Sequence, residues 1–587
     1  MLPAAFVVLE SRPLTSNGKV DRRSLPAPVW ESATTEVMPQ TLVEQTLAEI
    51  WAAVLRLETV GLHDNFFELG GDSILALQMV SRAAQAGLSL SPRQIFQHQT
   101  IAELATVVET TAVAMVPTVE AGMVPLTPIQ QWFFEQNWAN PHYFNQAVCL
   151  ELPPKVDRGC LDRAIQQVAA DHDGLRLRFE RTAEGWQQRY AEAAAVEPVV
   201  WYDLASFPED DQAQEIERLA NQLQASLHLG KGPLMRVGGF DLGAEHPSRL
   251  LIVMHHLVVD GLSWRILLED LLLAYRQGTQ GVKAQLPAKT HSFKQWATWL
   301  QSVLKQAQEA LPYWQDLPQP FPLPLDQSTG ENTMAAAETV TVALSPHHTQ
   351  ALLQTVPLAD KTEINDLLLT ALMQVLTEWT GAQLHVVTLE NHGRHPETLG
   401  GELNLSRTVG WFTGLHPVAL QLPGNDPGEQ LQAIKAQLRR VPHQGISYGL
   451  LRYGAGHEGL AVQPQISFNY LGQFDGLLVE AAGFRLLESP GATSDGRHGR
   501  SHLIDINGWI RDGQLQLAWT YSRHHHRRST LEHLANRYLE ALQRLITHCQ
   551  AAAPQGYRPE DFSLVQLDQA TLEAVLGTVT FQGGGNP

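Results

Sequence analysis

The sequence predicts a multi-domain protein in which a small helical bundle precedes a larger α/β region. Its 587 residues exceed what one hydrophobic core supports, since domains usually hold about 100–200 residues. Near the start, Thr41 with Glu44 forms the capping-box signature of a helix, and apolar residues follow at helical spacing. From Pro125 onward, helical and strand-like segments alternate, which is typical of α/β domains.

The composition argues against nucleic-acid and membrane partners. The chain holds 41 Lys and Arg against 61 Asp and Glu, a formal net charge of -20, and this excess of acid repels phosphate backbones and anionic lipids. No apolar run reaches the roughly 18 residues of a membrane-spanning helix. Three widely spaced cysteines, Cys149, Cys160 and Cys549, give neither a disulfide framework nor a metal-ligand spacing. We expect a soluble, cytoplasmic protein.

A Gly-Gly-Asp-Ser string lies between the predicted helices of the bundle. Ser73 follows Gly70, Gly71 and Asp72 at the start of an amphipathic helix, and by itself it is typical of a helix N-cap. The string resembles the attachment site of peptidyl carrier domains, which implies that Ser73 bears 4'-phosphopantetheine. The setting agrees, because a phosphodiester there faces unpaired N–H groups and the positive end of the helix dipole. The glycines would let a transferase approach. With isoleucine next, the string resembles carriers that precede epimerization domains.

A buried strand in the α/β region ends in two histidines. His255 and His256 follow five apolar residues, and Asp260-Gly261 is expected to form a tight turn just beyond them. Strand alternation sends the two side chains to opposite faces, so at most one points into a given cavity; both could also be structural. The string resembles the H-H-x-x-x-D-G signature of the condensation superfamily in nonribosomal peptide synthetases. Its continuation from Ser263-Trp264 resembles the epimerization branch.

A second strand ends in Glu390-Asn391-His392-Gly393-Arg394. A glutamate at a strand end is often a solvated surface group. Here the string resembles the E-G-H-G-R motif of the same superfamily, which implies that Glu390 lines the active-site tunnel opposite the histidine. Asn391 stands where the family usually has glycine, and asparagine tolerates left-handed backbone geometry better than most residues.

A third string, Phe468-Asn469-Tyr470-Leu471-Gly472-Gln473-Phe474, discriminates most between the branches of the superfamily. On its own, its Asn and Tyr are typical of a hydrogen-bonded strand end. The string resembles epimerization domains and not condensing ones. It implies that Asn469 and Tyr470 orient the substrate or stabilise the charge that develops on it.

The resemblance covers nearly the whole chain in motif order. Pro13 to Arg22 resembles the last motif of adenylation domains, and we expect Lys19 in it to be catalytically idle because the rest of such a domain is missing. The resemblance implies an epimerization domain of two chloramphenicol-acetyltransferase-like lobes in a V shape, with a tunnel at their interface. The expected segments are an adenylation tail (1–34), a four-helix carrier (35–112), a linker (113–124), an N-terminal lobe (125–325), a C-terminal lobe (326–577) and a second linker (578–587).

The predicted reaction is L-to-D epimerization of an aminoacyl or peptidyl thioester carried by Ser73. Glu390 and His256 are the expected acid and base, on opposite faces of the α-carbon. Burial raises the pKa of such a glutamate and a nearby histidine cation lowers it, and either effect could dominate. The residues expected to support the site structurally are His255, Asp260, Gly261 and Arg394, with Asp260 paired to Arg394.

Two other functions remain open at this point. A condensation domain of the same fold would use His256 to organise peptide-bond formation between two carrier-bound substrates. A catalytically inactive docking module would only hand the carrier on. We expect no metal site at His524-His525-His526, because adjacent histidines diverge, and instead a solvated basic turn. The expected partners are an upstream adenylation domain, a downstream condensation domain, a phosphopantetheinyl transferase and the carrier-bound substrate.

Overall fold

The computed structural model describes residues 38–55, 57–109, 121–192, 197–244, 246–356, 362–473 and 483–551. The predicted adenylation tail with Lys19, the final linker (578–587) and Phe474 lie outside these ranges. None of the helices in them is long and apolar enough to cross a membrane.

The first unit is a bundle of short helices: α1 (Leu42–Leu55), α2 (Ser73–Gln85), α3 (Pro92–Gln97) and α4 (Ile101–Val107). The predicted capping box is present, since Thr41 N–H donates to the Glu44 carboxylate at 2.8 Å and Glu44 N–H donates to the Thr41 hydroxyl. Trp51 and Phe66 are fully buried and pack edge to face with ring centroids 5.1 Å apart. This separate core lets the bundle hold its own shape.

The described residues between 121 and 316 form seven strands and seven α-helices. The strands are β1 (Gly122–Val124), β2 (Asn145–Glu151), β3 (Leu177–Thr182), β4 (Gly185–Tyr190), β5 (Val200–Asp203), β6 (Met235–Asp241) and β7 (Arg249–His255). The helices are α5 (Pro128–Glu135), α6 (Arg158–Asp171), α7 (Glu209–Gln224), α8 (Gly261–Thr279), α9 (Phe293–Ser302), α10 (Leu304–Ala307) and α11 (Leu311–Gln315).

The region from 337 to 551 supplies the remaining described elements. The strands are β8 (Ala337–Ala343), β9 (Leu384–Asn391), β10 (Gly414–Gln421), β11 (Ile466–Gln473), β12 (Arg485–Leu487), β13 (Ile504–Arg511) and β14 (Gln514–Ser522). The α-helices are α12 (Pro346–Gln350), α13 (Ile364–Thr380), α14 (Pro427–Arg439), α15 (Ile446–Gly449) and α16 (Arg528–Ala551).

Two large sheets organise the α/β region. The first has the strand order β12-β2-β7-β6-β5, and the second has the order β10-β9-β11-β13-β14-β8. In the second sheet β9, β11 and β13 run parallel to one another, while the outer pairs are antiparallel. Since neighbouring parallel strands end at the same edge, the last residues of β9 and β11 lie side by side.

The two lobes do not separate at the expected boundary of 325/326. Strand β12, from the second half of the chain, pairs antiparallel with β2 at the edge of the first sheet. Trp411, Phe412 and Leu451, also beyond residue 326, pack into the apolar core of the first lobe. A run of apolar residues indicates burial but not which core buries it, so the sequence does not reveal this exchange.

The expected linker 113–124 extends too far. Gly122 to Val124 form β1, which pairs antiparallel with β4 so that Gly122 lies opposite Tyr190. Gly122 has a φ of 78° and Met123 is exposed. Three residues are too few to show strand alternation, and tertiary pairing fixes their conformation.

The histidine-rich turn also differs from the expectation of a solvated turn. His526 is 1% exposed and packs against Trp379 with ring centroids 5.8 Å apart, while its Nδ1 lies 4.0 Å from the Asp326 carboxylate. Burial lowers the pKa of His526. Within the described ranges no cluster of His, Cys, Asp or Glu has a metal-binding arrangement.

A buried ion pair joins the two halves of the α/β region. Arg394, just after β9, donates through Nη2 to both carboxylate oxygens of Asp260 at 2.9 and 3.1 Å. The same guanidinium donates to the carbonyl oxygens of Leu405 and Thr408, and its carbon lies 3.9 Å from the centre of the Phe412 ring. Both charged side chains are at most 7% exposed. The pair is the one expected from the sequence, and its extra hydrogen bonds satisfy most of the guanidinium.

We expect Asp260→Ala to lower the free energy of unfolding by about 3–5 kcal/mol, because it leaves the Arg394 charge buried without compensation. Asp260 is also the N-cap of α8 and accepts from Ser263 N–H, so Asp260→Asn, which retains a capping side chain, separates the two contributions. The measurement is urea unfolding of the α/β region followed by near-UV circular dichroism.

The matched control is Glu180→Ala, which breaks the exposed Arg189–Glu180 pair of the same 2.9 Å length. Exposed pairs contribute about 0–1 kcal/mol, so this variant should unfold close to wild type. If Asp260→Ala and Glu180→Ala unfold at the same urea concentration, the buried pair does not hold the lobes together.

Candidate active site

The site begins where β7 ends. His255 is its last residue, and the chain turns at once into the 3₁₀ turn His256–Val258. His255 is fully buried; its Nε2 lies 2.9 Å from the Pro141 carbonyl oxygen, and its Nδ1 accepts from Leu257 N–H. Burial lowers the pKa of His255 to about 3. His255 is therefore a neutral histidine that fixes the backbone around the site.

Asp260 and Gly261 form a helix start and not the predicted tight turn. Asp260 caps α8, and Gly261 is its first residue. Gly261 is exposed, its φ is not positive, and an added Cβ would meet nothing within 4 Å. Asp followed by Gly favours turns and helix starts alike, so the sequence does not distinguish them.

Two hydrogen bonds and two aromatic contacts fix the His256 ring. Its Nδ1 lies 2.9 Å from the Val259 carbonyl oxygen, and its Nε2 lies 2.9 Å from the side-chain nitrogen of Gln146. The imidazole stacks on Phe144 and lies 4.4 Å, centroid to centroid, from Trp411. Burial lowers the pKa of His256, although Val259 and the Asp260 carboxylate act in the opposite direction. The geometry favours a neutral ring in one fixed orientation.

Glu390 lies on the other sheet, near the end of β9. Its neighbour across the sheet is β11, and the register pairs Phe468 with Leu389, which brings Asn469 next to Glu390. Asn469 Nδ2 donates to Glu390 Oε2 at 3.0 Å. Burial raises the pKa of Glu390 to about 7. Of the two effects weighed from the sequence, burial dominates, and this carboxyl can gain or lose a proton near neutral pH.

Two residues that the sequence analysis did not single out act on Glu390. The Asp505 carboxylate also raises the pKa of Glu390, and His502 lowers it. His502 joins both neighbours, with Nε2 2.9 Å from the Thr388 hydroxyl and Nδ1 3.2 Å from Asp505. His502 lies just before strand β13, and Asp505 lies near the start of that strand. In the sequence, the alternating pattern of β13 predicts a half-buried strand but no role for either residue.

A cavity of about 330 Å³ is lined by residues that neighbour the two candidate groups, His256 and Glu390. Its wall contains Trp411, whose ring contacts His256, and Thr388, which shares a strand face with Glu390. The Trp411 Nε1–H is buried, and within the described residues it has no hydrogen-bond partner. The wall combines aromatic and aliphatic side chains with polar and charged ones, and such a mixed concave surface is typical of a small-molecule site.

The structure explains why glycine and asparagine occupy their positions in the Glu390-Asn391-His392-Gly393-Arg394 string. Gly393 has a φ of 67°, and a Cβ there would lie 1.7 Å from the Phe412 carbonyl oxygen, so only glycine fits. Asn391, in contrast, is the last residue of β9 and does not adopt the left-handed geometry expected for it. Its side chain accepts from Gly393 N–H and donates to the Gln444 carbonyl oxygen at 2.6 Å, which fixes the turn leading to Arg394.

In the helical bundle, Ser73 is the first residue of α2 and does not cap it. The cap is Asp72, whose carboxylate accepts from Leu75 N–H at 2.8 Å. Gly70 has a φ of 95°, and a Cβ on Gly71 would lie 2.4 Å from the ring of Phe66. The glycine pair is therefore required by the fold of this loop, which differs from the expected reason that a transferase must approach. Ser73 is left available at the helix start.

The bundle contacts the α/β region through the helix that Ser73 begins. Arg407 Nη1 donates to the Ser81 hydroxyl at 3.1 Å, and Arg407 Nη2 donates to Asp270 at 2.5 Å. Ser81 lies about two turns along α2 from Ser73. A Cβ on Gly472 would lie 3.1 Å from Ile74, beside Ser73. The contacts therefore hold the start of α2 against the end of β11.

Tyr470 and Asn469 do not act on the same group. Asn469 contacts Glu390, whereas Tyr470, next along the strand, is influenced by Asp72 of the bundle. Burial raises the pKa of Tyr470 well above its ordinary value, with Asp72 adding to the shift and Arg265 opposing it. The Tyr470 hydroxyl is buried and unpartnered among the described residues. The Tyr470 hydroxyl is therefore a hydrogen-bonding group close enough to be influenced by Asp72, the residue before Ser73.

Comparison with known proteins identifies both units. The family model described as Condensation domain matches residues 120–562, and the model described as Phosphopantetheine attachment site matches residues 45–108. These matches confirm the expected phosphopantetheine-bearing domain. They also confirm the predicted fold class, a carrier followed by an α/β domain of the chloramphenicol-acetyltransferase-like type.

The chain is similar to segments of very long synthetases. It is 46% identical over 602 residues to a linear gramicidin synthase of Brevibacillus parabrevis, and the match covers 98% of this chain and 8% of that protein. It is 45% identical over 590 residues to chondramide synthase cmdD of Chondromyces crocatus, covering 98% of this chain and 15% of that protein. The chain therefore spans only a small part of these curated relatives.

A solved structure resembles the α/β region. It is described as the epimerization domain from the third module of tyrocidine synthetase B, with 36% identity and a TM-score of 0.69. The match covers 74% of this chain and 98% of that one. The similarity therefore includes almost all of that domain and about three quarters of this chain.

We expect Ser81→Arg to release the bundle from the α/β region, because it brings a second positive charge against the buried guanidinium of Arg407. Amide hydrogen exchange in the full chain should then accelerate about tenfold or more at residues 406–410 and 470–473, for a loss of roughly 1.4 kcal/mol. The control is Thr106→Arg, an exposed position on α4 of the same bundle. Equal exchange in the two variants would contradict the observed contact.

Proposed function

The chain belongs to the condensation-domain family of nonribosomal peptide synthetases, and we propose that its reaction is epimerization, from L to D, at a substrate α-carbon. The substrate is an aminoacyl or peptidyl group held as a thioester on 4'-phosphopantetheine attached to Ser73. The observation that carries this proposal is Glu390, a carboxyl with a pKa of about 7 that accepts a hydrogen bond from Asn469 and lies on the same strand as Thr388 in the cavity wall. Paired with His256, such a carboxyl suits transfer of a proton from carbon.

Epimerization requires that a weakly acidic α-proton leaves one face and that a proton arrives on the other. We assign these steps to Glu390 and His256. With one proton between them, the pair is either a protonated Glu390 with a neutral His256 or a carboxylate with an imidazolium. The unprotonated group of the pair removes the proton from the α-carbon. The protonated group delivers its own proton to the opposite face. No net proton is consumed, and the roles exchange with direction.

The surrounding residues have separate tasks in this scheme. The arm, when bound, supplies a thioester whose carbonyl oxygen can take up negative charge. The buried Trp411 Nε1–H, which borders the cavity, is available to donate to that oxygen. Asn469 orients the Glu390 carboxyl, and Tyr470 offers its hydroxyl to the arm near Ser73. The aromatic side chains in the cavity wall, among them Trp132, Trp296 and Trp411, reduce the access of water to the reacting groups, which strengthens these interactions.

The docked bundle supports action on the chain's own carrier. Its contacts through Ser81 and Ile74 place the start of α2, where Ser73 lies, against the end of β11, the strand that carries Asn469. The similar structure described as an epimerization domain adds to the same proposal. We further propose a phosphopantetheinyl transferase, an upstream adenylation domain and a downstream condensation domain as partners.

We expect Glu390→Gln to slow solvent-deuterium uptake at the substrate Cα by about 10²–10⁴-fold, because an amide cannot exchange a proton with carbon. A phosphopantetheinyl transferase loads Ser73 from L-aminoacyl-coenzyme A, with release of adenosine 3',5'-bisphosphate. The reaction is then run in D₂O, and the mass of the released amino acid is measured by mass spectrometry. His256→Ala should lose uptake too, or lose it for one enantiomer only.

Glu397→Gln is the matched control, since Glu397 lies 3.2 Å from His395 in the neighbouring turn and outside the proposed pair; it should retain wild-type uptake. Ser73→Ala should take up neither the arm nor deuterium. Wild-type uptake in Glu390→Gln would remove Glu390 from the reaction.

A further inference from the structure

Gln146 lies between His256 and the helix that follows it. It belongs to β2, next to β7 in the sheet, and the register places it opposite Met254. Its side-chain nitrogen is 2.9 Å from His256 Nε2, and its side-chain oxygen accepts from Trp264 Nε1–H at 2.8 Å. The amide therefore links Trp264, near the start of α8, to the imidazole proposed to exchange the α-proton.

The indole N–H of Trp264 determines which group donates and which accepts in each hydrogen bond from Trp264 through Gln146 to His256. An indole nitrogen only donates, so the Gln146 oxygen must face Trp264, and the Gln146 NH₂ group must face His256. An NH₂ group only donates as well, so His256 Nε2 must accept. The proton of the neutral ring is then on Nδ1, where it donates to the Val259 carbonyl oxygen.

We infer that Gln146, oriented by Trp264, is a positioning residue that holds His256 as the neutral Nδ1–H tautomer. This inference rests on the proposed function for its consequence, which is that the proton shared by the pair stays on Glu390 between turnovers. His256 is then the group that takes the α-proton of the incoming substrate, and Glu390 is the group that delivers one to the other face.

The geometry opposes protonation of His256 in a specific way. A proton on Nε2 would face the Gln146 NH₂ group, so two donors would meet. Turning the amide over would offer its oxygen to His256, but its NH₂ group would then face the Trp264 N–H, which is buried. Either arrangement leaves a buried donor without an acceptor. His256 can therefore carry the proton only while Gln146 is displaced during the reaction.

The charged groups around His256 do not provide an alternative acceptor. Asp260 is the carboxylate that favours protonation of His256, but its oxygens already accept from Arg394, Ser263 N–H and Phe412 N–H. His255 is kept neutral by burial and is bonded to the backbone. Gln146 is thus the side chain that meets the Nε2 atom directly and determines which protonation state is stabilised there.

The test is the pKa of His256 in the full chain without substrate. The chain is labelled with ¹³C-histidine, and the His256 signal is identified among the 24 histidines by its loss in His256→Asn. We expect Gln146→Glu, whose carboxylate accepts from a protonated Nε2, to raise this pKa by about one pH unit or more. Trp264→Phe should raise it by a smaller amount, because the amide can then turn over.

Gln131→Glu is the matched control. Gln131 is a partly buried glutamine whose side chain bonds the Leu126 carbonyl oxygen, and this variant should leave the His256 pKa unchanged. An unchanged pKa in both Gln146→Glu and Trp264→Phe, with both variants folded, would overturn the inference. A rise in Gln146→Glu alone would limit the role to Gln146 and remove Trp264 from it.

A second readout separates this inference from the proposed function. With loaded carrier in D₂O, Gln146→Glu should reduce Cα deuterium uptake more from an L-aminoacyl than from a D-aminoacyl substrate, because the base for the first is already protonated. If the wild type takes up no deuterium while the pKa shift is present, the proposed function fails and the tautomer assignment stands. Equal loss for both enantiomers would contradict the assignment of His256 as the base for the L substrate.

Discussion

The site depends on one buried ion pair, Asp260 with Arg394. Asp260 follows β7 and the His256 turn in the first lobe, and Arg394 follows β9 and Glu390 in the second. The pair therefore connects the turn that carries His256 to the loop that directly follows Glu390. Its guanidinium also binds the backbone of the 405–408 segment, which leads directly into Trp411 and the cavity wall. Because a buried charge is costly without its partner, this connection is strongly constrained.

Within this frame, burial tunes two ionisable groups in opposite directions. It raises the pKa of Glu390 to about 7 and lowers that of His256, so both effects disfavour charge. A carboxyl that is readily protonated and a histidine that is readily neutral suit a pair that shares one proton. The polar residues around them then specify geometry: Asn469 fixes the carboxyl, and Gln146 with Val259 fixes the imidazole.

Much of this could be predicted from the sequence, because motifs and helix caps are local. The helical bundle, the strands before His255 and Glu390, and the Asp260–Arg394 contact are all present. The contacts that the sequence did not reveal are between residues that are far apart in the chain. Gln146 reaches His256 from a strand more than a hundred residues earlier, and His502, just before β13, reaches Thr388 from more than a hundred residues later. β12 joins the first sheet although it lies in the second half of the chain. Local pattern could not place Asn391, because its side chain bonds the distant Gln444 carbonyl oxygen. Strand alternation separates Tyr470 from Asn469, but only the tertiary structure shows which group each one meets.

The central claim is that the paired groups invert a carbon centre and do not form a peptide bond. The most direct measurement loads Ser73 of the wild-type chain from L-aminoacyl-coenzyme A in D₂O and adds a second carrier bearing an amino acid. The residues on both carriers are then analysed by chiral chromatography and mass spectrometry. The account predicts a mixture of L and D residues on Ser73, each D residue with one deuterium at Cα, and no dipeptide. An L residue without deuterium that is transferred to the second carrier as a dipeptide would contradict it.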